Sequence, residues 1–373
     1  MSSCISAIGT ANPYYRVRQN DIYQFMVKAF GLSDTNAFRL KKIYDHSGID
    51  YRFSIISDFE INGSKEKAFF GYHNEFKLFP GTSERLSLYR ENAANLALEA
   101  VKNCFSHHSE IHPTSITHLI TVSCTGMHAP GIDIELIEKL GLRKNIERTC
   151  INFMGCYGSL NALKFADYIC RAEPRSKVLI VSVELCTIHF QKENTLDNWV
   201  ANSLFSDGAA AVLVETETMT KNKKVNLALD TFYSEYLNEA KDEMEWFVGD
   251  TGFEMKLTSK VPRLILKNLK AISNKLLLKA NLQFDDIKQF AVHPGGRKIL
   301  EAAENALGFS SIANQHAYDT LREHGNMSSA TILFVLKKLM DNPQGIDGEH
   351  ILSFAFGPGL TVESMILKRI GNA

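Results

Sequence analysis

The stretch Ile151-Asn152-Phe153-Met154-Gly155-Cys156-Tyr157-Gly158 constrains this 373-residue chain more than any other. A short β-type segment ends in a small-residue turn, and a cysteine stands where an apolar helix begins. Leu160, Leu163, Ala166 and Ile169 recur at helical spacing over Ser159 to Arg171, and Ala162 and Phe165 widen that face. A thiol at a helix N-terminus lies near unpaired backbone N–H groups and the positive end of the helix dipole. Both favour the thiolate, the reactive form, so the position predicts a thiol more acidic than a free one. Gly155 and Gly158 leave room for backbone or substrate to approach closely. The alternative is a buried, inert cysteine, because free cysteine is among the most buried residue types. This segment alone does not separate the two.

Two later segments favour the nucleophile. In Phe290-Ala291-Val292-His293-Pro294-Gly295-Gly296 an apolar strand-like run stops at a histidine and turns. In Glu323-His324-Gly325-Asn326-Met327-Ser328-Ser329-Ala330 an asparagine opens the strongly apolar helix of Thr331 to Leu336. A cysteine and a histidine far apart in sequence are the expected form of a thiol active site. The imidazole can ionise the thiol and hydrogen-bond a carbonyl oxygen. The amide adds an uncharged N–H donor. Singly, His293 reads equally as a core histidine and Asn326 as a helix cap. Together, each at an element boundary, they favour chemistry.

With these residues in view, the chain resembles the type III polyketide synthases, the chalcone synthase-like branch of the thiolase-fold condensing enzymes. The motifs run in the family's order: Ala7-Ile8-Gly9-Thr10-Ala11-Asn12-Pro13, Thr117-His118-Leu119-Ile120, Ala129-Pro130-Gly131, Gly155-Cys156-Tyr157 and Leu204-Phe205-Ser206-Asp207-Gly208. His293-Pro294-Gly295-Gly296, Gly325-Asn326-Met327-Ser328-Ser329-Ala330 and Phe356-Gly357-Pro358-Gly359 complete the series. The resemblance implies a catalytic triad of Cys156, His293 and Asn326. It implies iterative decarboxylative condensation of malonyl thioesters onto an acyl starter held on Cys156. Cyclisation to a pyrone, resorcinol or phloroglucinol would follow. A single-round ketoacyl-carrier-protein synthase III shares the same three residue types and is the alternative. The Phe205 block and Phe356-Gly357-Pro358-Gly359 favour the iterative reading. Plant members carry a helical extension before the first motif, whereas six residues, Met1 to Ser6, precede it here. Slime-mould hybrids called Steely fuse such a domain to a type I synthase, and an origin of that kind is one expectation for this start.

The family's cavity maps unevenly onto this chain. Phe205 matches one of two gatekeeper phenylalanines, and Met255 falls at the second. Trp246 falls near a glycine of the plant enzyme and His189 at a cavity threonine. Thr125, Ser328 and Gly357 are assigned to the cavity by the same resemblance. Arg39, Lys42 and His46 match the coenzyme A entrance, where cations would meet phosphates. A flexible thioether at 255 is expected to pass an aliphatic acyl chain. Ordinary core or surface packing is the alternative for each of these positions.

Composition excludes several other classes. A formal charge of −1 without a charged block argues against a nucleic-acid surface. Apolar content of 45% is ample for a large core. Seven cysteines scattered through regular segments suggest no disulfide framework and a reducing, cytoplasmic setting. No apolar run reaches transmembrane length. No metal-ligand spacing is evident, and the resemblance implies no metal and no cofactor beyond acyl and malonyl thioesters.

Strand-like runs at Leu119–Val122, Val178–Val183, Ala209–Val214, Val225–Leu229, Phe290–Val292 and Ile351–Phe356 alternate with helical ones. The helical runs are Glu91–Cys104, Asp133–Leu140, Ser159–Arg171, Pro262–Ala280 and Ser329–Met340. This alternation predicts an α/β fold with mostly parallel sheets covered by helices. The resemblance makes it a thiolase-like, five-layered αβαβα arrangement of two similar halves. Residues 1–219 would carry the nucleophile and 220–373 its partners, joined at the polar stretch from Thr216 to Lys224. Ile55 to Gly81 reads as an irregular surface insertion. A homodimer is implied, and an acyl carrier protein is a further expected partner.

Overall fold

The structure, a computed structural model, describes residues 2–60, 69–71, 76, 79–108, 111–219 and 225–371. Thirteen strands are described: β1 (Ser3–Ala11), β2 (Tyr15–Arg18), β3 (Tyr51–Ser54), β4 (His118–Ser123), β5 (Glu147–Asn152), β6 (Val178–Leu185), β7 (Asp207–Thr216), β8 (Asn226–Tyr236), β9 (Met244–Gly249), β10 (Gly252–Leu257), β11 (Ile287–Val292), β12 (His350–Gly357) and β13 (Thr361–Ile370). The helices are α1 (Gln19–Ala29), α2 (Asp34–Asp45), α3 (Thr82–Ser106), α4 (Ile132–Leu140), α5 (Gly158–Ala172), α6 (Leu196–Leu204), α7 (Val261–Ala280), α8 (Arg297–Leu307), α9 (Gln315–His324) and α10 (Thr331–Met340).

Nine strands form one sheet in the order β11-β12-β13-β8-β1-β7-β6-β4-β5. The expected parallel pairing holds at the flanks, where β4 lies parallel to β5 and β6, and β11 to β12. The middle is antiparallel, from β6 through β7, β1, β8 and β13 to β12. The pattern repeats about the β1–β8 junction. Reading outward from it, β1-β7-β6-β4 on one side matches β8-β13-β12-β11 on the other in both order and direction. The junction itself is short, with Ser3, Cys4 and Ile5 facing Leu229, Ala228 and Leu227.

Strand side chains alternate between two cores, as the two-residue period requires. Leu179, Val181 and Val183 of β6 join Ala93, Ala97 and Ala100 of α3 on one face. Val178 and Ile180 join Leu160 and Leu163 of α5 on the other. Helix α5 packs against β4, β6 and β7 and also against β8 and β13. It is therefore sandwiched between the two parts of the sheet. Helix α10, buried from Thr331 through Leu336, shares that central layer. With α3 and α4 outside one part and α7 and α8 outside the other, five layers result. A helix buried on two faces explains why Thr331 to Leu336 is apolar all round.

Part of the expected surface insertion lies outside the described residues, as do residues 220–224 of the expected join. Its described part is not peripheral. Phe59, Phe70 and Phe76 are buried with Phe25, Phe190 and Trp199 in a third, aromatic-rich cluster. Phe25 meets Phe59 edge-to-face at 4.8 Å, and Phe70 meets Phe190 at 5.1 Å. Aromatic spacing without regular periodicity hides this core in the sequence.

Candidate active site

Strand β5 delivers Cys156 to the interior. The chain leaves β5 through Phe153 at φ 59° and Gly155 at φ 74°, makes a 3₁₀ turn over Gly155–Tyr157, and enters α5. Gly155 is required twice. Its φ is left-handed, and a Cβ there would stand 2.3 Å from Cδ of Pro358. Cys156 is 9% exposed and its thiol donates to Ser328 Oγ at 3.7 Å.

Asn326 sits in the link between α9 and α10, tied by backbone to the end of α6. Its N–H donates to Leu204 O at 2.9 Å, and Ser206 N–H donates to its carbonyl at 2.8 Å. The side chain is oriented by its neighbours. Oδ1 accepts Ser328 N–H at 2.9 Å and the Thr331 hydroxyl at 3.3 Å. The NH₂ end is thereby fixed, and one of its hydrogens goes to Gly295 O at 3.3 Å in the turn after His293. The second hydrogen remains a donor. His293 follows β11, is 1% exposed, and neither ring nitrogen has a partner among the described residues.

Burial reverses the expected acidity of the thiol. It pushes Cys156 up to about 12, and the Ser328 hydroxyl and Asn326 amide only partly oppose it. Burial also drops His293 to about 3. Thiol and imidazole therefore both rest uncharged, and His293 is not among the residues of the cavity wall described next. The loss of solvent around the sulfur outweighs the helix N-terminus.

A mostly apolar cavity opens in front of Cys156. Its wall includes Thr125, His189, Phe205, Trp246, Met255 and Ser328. Six of the residues expected from sequence thus share one cavity with the thiol. Gly357 is not in its wall. It packs behind Cys156, where a Cβ would meet the Tyr157 ring at 2.5 Å, and its neighbour Pro358 reaches the cavity instead. Two polar tethers hold the far wall. Trp246 Nε1–H donates to Cys124 O at 2.8 Å. His189 Nε2–H donates to Thr125 O at 2.6 Å while its Nδ1 accepts Phe253 N–H at 3.0 Å. Burial lowers the His189 pKa to about 3, so this ring is a neutral strut. It stacks on Phe253 at 4.3 Å.

A second cavity holds Lys42 and His46 with Val200, Leu204, Leu257 and the Gly295-Gly296 turn. Arg39 lies on the same helix, α2, but is not in its wall. Leu204 and Leu257 line this cavity while Phe205 and Met255 line the first. Phe205 and Met255 therefore stand at the boundary between the two.

Both halves of the chain match known families. Residues 2–218 match the N-terminal domain of chalcone and stilbene synthases, and residues 228–371 match the C-terminal domain. The chain belongs to the type III polyketide synthases.

Relatives of this synthase include the alpha-pyrone synthesis polyketide synthase-like Pks18 of Mycobacterium tuberculosis, 29% identical over 98% of this chain and 91% of that one. A putative chalcone synthase of Bacillus subtilis is 32% identical over 98% of both chains. A probable polyketide synthase 1 of Dictyostelium discoideum is 28% identical over 99% of this chain, which spans 12% of its length. Among solved structures, the C-terminal type III domain of Steely1 from Dictyostelium aligns over 99% of this chain and 100% of its own, with a TM-score of 0.91 at 26% identity. PKS-I of the brown alga Ectocarpus siliculosus gives the same TM-score over 99% and 98% of the two chains, at 28% identity.

Several residues of this type III synthase escape sequence reasoning. Glu184, fully buried in β6, accepts Cys124 N–H at 2.9 Å and the Thr125 hydroxyl at 2.7 Å, and also the Ser329 hydroxyl. Burial raises its pKa against these donors. A lone acid inside the apolar run from Val178 to Leu185 is the available signal. Phe253 shares a face of β10 with Met255, two residues on, which the strand period would flag. Phe59 and Cys186 of the cavity wall carry no signal of their own.

Proposed function

We propose that this synthase extends an acyl starter on Cys156 with several malonyl units and cyclises the chain in the cavity described above. The observation that carries this is the orientation of Asn326. Its amide carbonyl is occupied by Ser328 and Thr331, so an N–H donor is left for the reacting centre.

In the acylation step Cys156 sulfur attacks the starter's thioester carbonyl. The thiol proton passes to the unpartnered neutral ring of His293 only as the sulfur–carbon bond forms, because neither group ionises at rest, and it leaves on the departing thiolate. Malonyl thioester then loses carbon dioxide. The electron pair of the broken C–C bond forms an enolate, whose oxygen takes N–H donors from His293 and Asn326. Both donors are uncharged. The enolate carbon attacks the Cys156 thioester, the thiolate leaves, and the chain is two carbons longer. Phe205 and Met255 act as the gate between the arm-binding and reaction cavities. Lys42 and His46, with Arg39 further out on α2, meet the phosphates of coenzyme A or of a carrier-protein arm.

The cavity favours an aliphatic starter, because Met255 is flexible and Trp246 fills the wall beside it. The product is a pyrone, resorcinol or phloroglucinol type. The chain divides at about residue 219 into a nucleophile half and a His–Asn half, in keeping with the repeated strand order. Phe165 and Tyr168 of α5, 49% and 55% exposed, give a homodimer an apolar face to cover. All seven cysteines are free thiols, in keeping with the cytoplasm. The described helices include none long and apolar enough to cross a membrane.

The test is mass spectrometry of products from malonyl-CoA and acyl-CoA starters of graded length. Products carrying two or more extensions are expected. Products limited to one extension would assign the chain to the single-round ketoacyl synthase reaction instead.

A further inference from the structure

Three residues from separate elements meet at the end of β4 and β5 remote from Cys156. His118 opens β4, Glu147 opens β5, and the two are direct register partners. Glu173 caps the C-terminus of α5. One ligand atom from each, the imidazole nitrogen and two carboxylate oxygens, lies within 4.8 Å of the others. The spacing of these residues along the chain matches no ligand motif, so only the fold brings the set to light.

The geometry suits an ion better than a hydrogen bond. His118 Nε2 stands 3.6 Å from Glu147 Oε2, beyond the roughly 2.7–3.2 Å of an N–H···O bond. Two ligands on one tetrahedral zinc ion, with bonds of about 2.0–2.2 Å, stand about 3.4 Å apart. Neither glutamate forms a salt bridge with a lysine or arginine among the described residues. The imidazole is also supported from behind. His118 Nδ1 lies 2.8 Å from Thr117 Oγ1, whose hydroxyl reaches Lys177 O at 3.1 Å. With that hydroxyl turned to Lys177 O, Thr117 accepts Nδ1–H and the Nε2 lone pair is free for a metal. This is the outer-shell arrangement of metal-bound histidines. The ring is buried, whereas Glu147 is 72% exposed and able to close on an ion from solvent. The C-terminal end of α5 adds negative potential at Glu173. The Ser176 hydroxyl steadies that side chain through Oε2 at 3.3 Å.

We propose that His118, Glu147 and Glu173 bind one divalent transition-metal ion, with water completing the tetrahedron. One nitrogen and two carboxylates suit zinc, cobalt or manganese, and the nitrogen disfavours magnesium and calcium. The ion would join β4, β5 and α5. Strands β4 and β5 lead to Cys124 and Cys156, α5 follows Cys156, and the ion sits roughly 16 Å away along β4. It would stabilise the frame and take no part in the condensation.

The experiment is calorimetric titration of zinc chloride into chelator-treated full-length protein, with thermal melts alongside and cobalt as a spectroscopic probe. One ion per chain, a raised Tm and cobalt d–d bands without a thiolate charge-transfer band are expected. Glu147→Gln and Glu173→Gln, both at exposed positions, should each weaken binding by about 10-fold or more, and His118→Ala should abolish it. Synthase activity with zinc removed should be unchanged at temperatures below the melt, which keeps this test independent of the proposed reaction. A wild type that binds no stoichiometric zinc, glutamine variants that bind it equally well, or a cobalt spectrum of thiolate type would each overturn the site.

Discussion

Trp246 and Met255 are register partners across the β9–β10 hairpin. Two side chains of the cavity wall, Met255 being the proposed gate, therefore ride on a single element. That element is anchored to the loop after β4 by the Trp246 hydrogen bond to Cys124 O. Changing the gate leaves the anchored wall in place, so the two contributions to starter choice can be read separately.

On this basis hexanoyl-CoA should be used in preference to coumaroyl-CoA by about 10-fold or more in kcat/KM. One misfitted methylene in a close-fitting pocket is worth about 1–3 kcal/mol. Met255→Phe should shrink that ratio. Equal or better use of coumaroyl-CoA by the wild type rejects the aliphatic assignment. A ratio unmoved in Met255→Phe leaves the preference and removes Met255 as its cause.

Cys156→Ala should abolish both acylation and product. Intact-protein mass after acyl-CoA treatment should show one acyl group on the wild type and none on the variant. Chain extension by the alanine protein would falsify the covalent route.

The pH dependence of the thiol follows from its donors. Ser328 and Asn326 hydrogen-bond the charged form and hold the Cys156 pKa below where burial alone would set it. A donor to the thiolate lowers the pKa, so removing one raises it and reduces the thiolate fraction at any given pH. Iodoacetamide inactivation, followed as rate against pH, should move to higher pH in Ser328→Ala and in Asn326→Ala. Alkylation at neutral pH slows in proportion to the thiolate lost, so a profile displaced by about one pH unit means a rate lower by about 10-fold. Profiles that superimpose on the wild type would remove both residues from the thiol's surroundings.

Gly155→Ala should destabilise the protein by roughly 2–5 kcal/mol. A left-handed alanine costs about 1–2 kcal/mol and an overpacked contact about 1–3 kcal/mol. The contact is with Pro358. Urea unfolding should show a lower midpoint with the slope unchanged. A midpoint equal to that of the wild type would mean the turn relaxes freely.

The legible parts of the chain are those with one dominant force. The apolar runs of β4, β6, β7 and α10 are buried on both faces, and their sequences say so without reference to partners. His293 stands out because it ends the apolar run of β11, and Cys156 and Asn326 because each precedes an apolar helix. Strand β5 cannot be read from its pattern, because its first four residues are exposed polar or small side chains. The Phe59–Phe70–Phe76 cluster escapes a pattern search because its packing is tertiary and irregular. The acidity of Cys156 runs against the sequence expectation because depth of burial depends on the whole fold, whereas the helix N-terminus is a local feature. Gly357 belongs to the cavity by motif, but its lack of a side chain serves the approach of Tyr157.

Strand β1 lies between β7 and β8, in the middle of the sheet. Its partners Asp207–Thr216 and Asn226–Tyr236 are synthesised some 200 residues after it, and His293 and Asn326 come later still. Pairing at such sequence separation makes folding slow, because the loop must close before the contacts repay it. Throughout that interval β1 presents two open backbone edges and an almost wholly buried-type sequence. On the proposed mechanism, reactivity waits for the last third of the chain. A nascent or truncated fragment would carry Cys156 without His293 and Asn326, and it carries an unpaired central strand whose readiest partner is another copy of itself.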